Sequence, residues 1–84
     1  MDYKATVCVK LKGSVLDPQG SAVEKACQSH GFGAISNVRI GKVITFEVDA
    51  ENIAKAHSMV ESLASQLLAN PVMETYRIEI EEKQ

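Results

Sequence analysis

The chain predicts an α+β domain with the order β-α-β-β-α-β: an antiparallel four-stranded sheet with two helices on one face. Segments near both ends alternate apolar and polar residues with period two. Two intervening segments repeat apolar residues at helical spacing, and glycine or proline breaks separate the pieces. Eighty-four residues leave room for one core, so 1–84 reads as a single domain.

Residues 3–12 place Ala5, Val7, Val9 and Leu11 on one face and Lys4, Thr6, Cys8, Lys10 and Lys12 on the other, which is a half-buried strand. Gly13-Ser14 ends it. Asp17 then caps a helix over about residues 18–30. Its carboxylate can accept orphan backbone N–H groups, and Pro18 takes the first helical position, where a missing N–H costs nothing. Ala22, Val23, Ala26 and Cys27 form the apolar stripe, with Glu24, Lys25 and Gln28 outward. Gly20 sacrifices roughly 0.5–1 kcal/mol relative to alanine in a first helical turn, so a close approach to its backbone is expected. Two readings stay open: a well-capped helix with an unremarkable glycine, or a contact surface for another chain. Gly31 suits the position past the C-cap that needs a positive φ, and His30 favours the dipole's negative end.

Phe32 to Ile40 reads as a second strand with Val38 and Ile40 in phase. Gly41-Lys42 is then the turn of a type II′ hairpin into a third strand, residues 43–49, whose Ile44, Phe46 and Val48 face inward. Lys42 at that tip lies close to Arg39; two such cations either hold an anion or are simply solvated. Asp49 caps a second helix over about residues 50–68, with Ile53, Ala56, Val60, Leu63 and Leu67 as its core stripe. Asn70-Pro71 stops this helix, because the residue before proline is driven out of the α region. Residues 72–82 form the last strand, with Tyr76, Ile78 and Ile80 inward and Thr75, Arg77, Glu79 and Glu81 outward. Those acids complement the lysines of the first strand if the two pair antiparallel. Glu82-Lys83-Gln84 reads as a frayed end. Assembled in the ferredoxin-like manner, the sheet exposes Thr6, Cys8, Val43, Thr45, Met73 and Thr75. That face is too apolar for solvent, which predicts cover by another subunit there or at an edge strand.

A net charge of −2 and a pI near 5.6 argue against nucleic acid, which needs a basic face. No apolar run approaches membrane-spanning length, and Met1-Asp2-Tyr3-Lys4 leads into a strand pattern, so a cytoplasmic protein is expected. Cys8 and Cys27 read as small apolar fillers, being too few and too far apart for a zinc framework or a redox pair. Neither phosphate-loop pattern occurs, nor a zinc-protease helix or a nucleophile elbow. Stacking aromatics for RNA are missing from the strands. No catalytic, cofactor-binding or metal-binding residue emerges, and the chain reads as a partner of a catalyst.

Four blocks carry a resemblance: Val15-Leu16-Asp17-Pro18-Gln19-Gly20, Gly31-Phe32, Val38-Arg39-Ile40-Gly41-Lys42 and Leu67-Leu68-Ala69-Asn70-Pro71-Val72. In this order and spacing they resemble PurS, the small subunit of phosphoribosylformylglycinamidine synthase. The resemblance implies a non-catalytic subunit of the fourth step of purine biosynthesis. It would bridge a PurQ glutaminase and a PurL synthetase, which itself uses ATP and magnesium, and would aid ammonia transfer. It also implies self-association, with dimer, tetramer and strand exchange in a dimer left open. The motif positions are Asp17, Pro18, Gly20, Arg39, Gly41, Lys42, Asn70 and Pro71, which become the subunit-interface candidates. Capping and turn geometry already account for Asp17, Pro18, Gly41 and Pro71. Arg39 and Lys42 are the stronger interface candidates, since no local rule demands a cation there. Two other readings fit the element order. An ACT-like amino-acid-binding regulatory domain is weakened by the missing enzyme domain, and an acylphosphatase-like hydrolase lacks a cation in the loop after the first strand.

Overall fold

The structure, a computed structural model, describes residues 1–83. Its elements are β1 (Asp2–Leu11), α1 (Pro18–Ser29), β2 (Gly41–Asp49), α2 (Ile53–Leu63), a π-helical turn (Ala64–Leu68) and β3 (Glu74–Glu82). The α+β class holds, with three strands among the described residues in place of four, ordered β2-β1-β3. Both pairings are antiparallel, and they match Val7 with Ile44 on one side and with Ile78 on the other. Tyr3, Ala5, Val7 and Val9 are buried on the core face of the central strand. Lys4 stands opposite Glu81, as the charge pattern predicts.

The expected second strand does not form. Residues 32–40 lack strand pairing, and Asn37 adopts a left-handed φ of 56°. The backbone donors of Val38 and Ile40 go to carboxylates on and beside α1, at 3.1 and 2.7 Å, and so are not available to a sheet ladder. The type II′ turn at Gly41-Lys42 goes with it. Gly41 opens β2 and, unlike Gly31, has no positive φ. A Cβ there would lie 2.7 Å from the Val9 carbonyl oxygen, so glycine is needed for a close strand approach.

Asn52, not Asp49, caps α2, its side-chain oxygen accepting the Lys55 N–H at 2.8 Å. Asp49 instead lies 3.5 Å from the N-terminal ammonium, which donates to the Ala50 carbonyl. Ala56, Val60 and Ala64 are buried against the sheet, while Ile53 and Leu67 are exposed. The π turn explains Leu67. One added residue shifts the later positions of the stripe, so Leu68 packs on the core where Leu67 was expected. Tyr76 of β3 donates its hydroxyl proton to Glu61 of α2 at 2.7 Å, and that bond holds the phenol pKa above its ordinary value. At the chain's end, Glu82 belongs to β3 and the Lys83 N–H donates to the Asp2 carbonyl, so these two residues do not fray. Gln84 lies outside the described residues.

α1 closes as expected. Phe32 N–H reaches Cys27 carbonyl at 2.9 Å, Gly31 N–H reaches Gln28 carbonyl at 3.2 Å, and Gly31 has φ 93°, which together make a Schellman cap. Its packing does not follow expectation. α2 alone covers the sheet, and α1 packs substantially on neither the sheet nor α2. Only Gly20 of α1 is buried, and Val23 of the expected stripe is exposed. The chain is a slab of 51 × 30 × 14 Å with a radius of gyration of 16.4 Å. A compact domain of this length would have a radius near about 12 Å, by the usual size scaling.

Candidate functional site

Because β1 runs antiparallel to both neighbours, its C-terminal end meets the N-terminal ends of β2 and β3. All eight motif positions gather at this end of the sheet. Asp17 is their centre. Although it is buried, its carboxylate is met by backbone donors: Oδ1 accepts the Gly20 N–H at 2.9 Å, and Oδ2 accepts the Ile40 N–H at 2.7 Å. The Arg39 guanidinium lies 4.0 Å from Oδ2. The N–H groups of Ile40 and then Gly20 hold the carboxyl below its ordinary pKa, with Arg39 adding to them against desolvation.

The close approach expected at Gly20 is present, but it comes from this chain. A Cβ at Gly20 would fall 2.2 Å from the Val38 carbonyl oxygen. Arg39 is likewise engaged within the chain. Its Nη2 donates to the Lys12 carbonyl at 2.9 Å and the Val15 carbonyl at 2.7 Å, fastening the β1–α1 loop to the segment before β2. Its acceptors lie 27 and 24 residues away in sequence, beyond any local rule. Lys42 is exposed and forms no hydrogen bond or ion pair among the described residues. With Asp17, Gln19, Ile40, Gly41 and Glu74 it lines an open concavity of about 240 Å³.

Asn70 and Pro71 reach the same end through the turn before β3. Asn70 Oδ1 accepts the Val72 N–H at 3.0 Å, its own N–H donates to Glu74 Oε1 at 2.7 Å, and its carbonyl accepts from Met73 and Glu74. These bonds make Asn70 a turn-former. The Lys12 N–H to Met73 carbonyl bond, at 2.9 Å, stitches this turn to the β1–α1 loop. The sequence reading missed Glu24, whose carboxylate accepts the Val38 N–H at 3.1 Å. Its position one helical turn after Gly20, on the same face, is the signal that could have found it.

No group of three or more potential metal-ligating side chains occurs among the described residues, and no helix there is long and apolar enough to cross a membrane. The site holds turns and joins. A family model described as phosphoribosylformylglycinamidine (FGAM) synthase, PurS, matches residues 4–82.

The chain belongs to the PurS family.

It is 44% identical over 80 residues to the phosphoribosylformylglycinamidine synthase subunit PurS of Bacillus subtilis, covering 95% of this chain and 94% of that one. The corresponding subunit of Methanocaldococcus jannaschii is 40% identical over 79 residues, covering 94% and 95%. Among solved structures, Thermus thermophilus PurS superposes with a TM-score of 0.88 at 40% identity over 100% of both chains. A chain of the Thermotoga maritima PurLQS structure gives 0.89 at 32% identity, over 96% of this chain and 99% of that one.

Two mutational outcomes separate the cations at this end. Lys42→Glu should leave the melting temperature within about 2 °C of the parent, as exposed changes do. Arg39→Glu removes both carbonyl contacts and sets a second carboxylate beside Asp17. It should lower the melting temperature by more than about 5 °C, read by circular dichroism. Equal melting of the two variants would contradict the fastening role of Arg39.

The Asp17 contacts also set a pH dependence. Their contribution to stability is fully present above the unfolded carboxyl pKa, near about 3.9, and is lost as pH falls through the lower folded value. The melting-temperature gap between the parent and Asp17→Asn should therefore be constant at neutral pH and shrink below about pH 4. A gap that stays constant as pH falls below about 4 would exclude the carboxylate as its source.

Proposed function

We propose that this chain serves as the small, non-catalytic subunit of phosphoribosylformylglycinamidine synthase, the ATP- and glutamine-dependent enzyme of the fourth step of purine biosynthesis. In this reading it is cytoplasmic, it bridges a PurQ glutaminase and a PurL synthetase, and it associates with itself. ATP and magnesium are used by the synthetase subunit, and no chemical step is routed through a residue of this chain. Any part in ammonia transfer is one of shape.

The observation that carries this reading is the uncovered apolar surface of an 84-residue chain. Leu16, Val23, Phe32 and Ile35 are exposed around α1, and Leu67, Val72 and Met73 around the turn before β3. The open sheet face carries Val43, 65% exposed, with Thr45 beside it on β2, and no helix of the chain packs there. Exposed apolar patches of this kind mark protein interfaces. The polar groups of the motifs, by contrast, are mostly spent on internal bonds. Lys42 is the motif side chain most available to a larger subunit, while Asp17, Gly20, Arg39, Gly41 and Asn70 shape the surface around it. Pro18 and Pro71 are exposed at the same end and are kept as contact candidates.

Mixing the purified chain with PurL and PurQ of a PurS-dependent synthase should restore glutamine-dependent amidine formation, while the chain alone turns over neither glutamine nor ATP. Absence of stimulation would count heavily against the reading. Saturable amino-acid binding by calorimetry, with no stimulation, would point to the ACT-like alternative.

A further inference from the structure

We propose that the π turn at Ala64–Leu68 is a register switch, whose second setting is an unbroken α-helix with Leu67 in the core and Leu68 turned outward. At about 100° per residue, regular winding would place Leu67 about 20° from Val60 and Leu68 about 80° from it on the other side. Ala56, Val60 and Ala64 are the buried line of the helix, so Leu67 is the leucine that regular winding aims at the sheet. The structure does the opposite. Ala69 N–H reaches the Ala64 carbonyl at 3.0 Å, five residues back, and the wider turn packs Leu68 on the core while Leu67 stands 77% exposed. The two settings fill one core position with the same side chain, so packing separates them little. No side-chain hydrogen bond among the described residues ties the turn to the sheet: Ser65 and Gln66 bond to Ser62 of the same helix. A change of register rotates the helix end, and Ala69 is the joint that absorbs it. Its backbone is extended, φ −128° and ψ 148°, between the helix and the self-bonded Asn70 turn. In the α setting Leu67 leaves the apolar group exposed with Val72 and Met73 around the turn before β3, so the register sets the make-up of that surface.

Alanine substitutions in the full chain test the switch by thermal melts, read by circular dichroism at one protein concentration. Leu67→Ala alone should move the melting temperature by about 2 °C or less, as an exposed change does. Leu68→Ala alone should lower it by about 4 °C or less, because Leu67 turns in to take the vacated place. The double variant has no leucine for either register. It should lose at least about 6 °C more than the two single losses added together. Solvent paramagnetic relaxation enhancement of the Leu67 methyls should fall about twofold or more from the parent to Leu68→Ala, as the population shifts to the α setting. Three results would overturn the proposal: losses that simply add, a Leu68→Ala loss greater than half that of the double variant, or Leu67 methyls equally exposed in the parent and in Leu68→Ala. A Leu68→Ala variant that fails to fold belongs to the second of these, while a double variant that fails to fold beside two stable single variants supports the switch.

Discussion

Val60→Asp should abolish the folded state. Val60 is 1% exposed at the middle of α2 and belongs to the buried cluster with Val7, Val9 and Ala56. An aspartate there places a carboxylate among apolar groups with no donor or cation to meet it. The cost of burying an unpaired charge is several kcal/mol, even after the group protonates. A domain of this length has only about 4–13 kcal/mol of stability in all. With one helix covering one face of a three-stranded sheet, there is no second core to hold structure when this one fails. Circular dichroism at about 25 °C should show loss of both helix and strand signal. A cooperative melt close to that of the parent would sink the assignment of Val60 to the core.

Gly20→Ala should be the most damaging single methyl in the chain. The added carbon would sit 2.2 Å from a backbone oxygen, which cannot rotate aside as a side chain can. Either the first turn of α1 or the Val38 peptide has to move, and both are tied to Asp17 or Glu24. Overpacking of this kind costs about 1–3 kcal/mol, and the better helix propensity of alanine returns up to about 1. A fall in melting temperature of about 5–15 °C is expected. Gly13→Ala is the control, because a methyl added there would meet nothing within 4 Å. Equal melting of the two variants would remove the close approach at Gly20.

The parts of the fold legible in sequence were those set by neighbours a few residues apart. Period-two alternation located β1 and β3, and with it the Lys4–Glu81 pairing. Gly31 announced the Schellman cap, and Asp17-Pro18 the start of α1. What escaped was decided by long-range competition for backbone donors. Val38 and Ile40 have strand spacing, yet their N–H groups are taken by Glu24 and Asp17, which lie 14 and 23 residues away. The carbonyl acceptors of Arg39 were hidden for the same reason, lying 27 and 24 residues away. The cap of α2 was missed because aspartate and asparagine cap about equally well, and the π turn leaves no mark in the pattern of Ala64–Leu68. The motif positions lie at one end of the sheet, but which of them are spent on internal bonds was visible only in the distances.

The slab shape carries a consequence for measurement. A radius of gyration of 16.4 Å is what a compact protein of about 200 residues would have. On a sizing column calibrated with spherical standards, one 9.1 kDa chain would elute earlier than its mass predicts. Stoichiometry for this protein therefore has to come from light scattering or equilibrium ultracentrifugation, where friction does not enter.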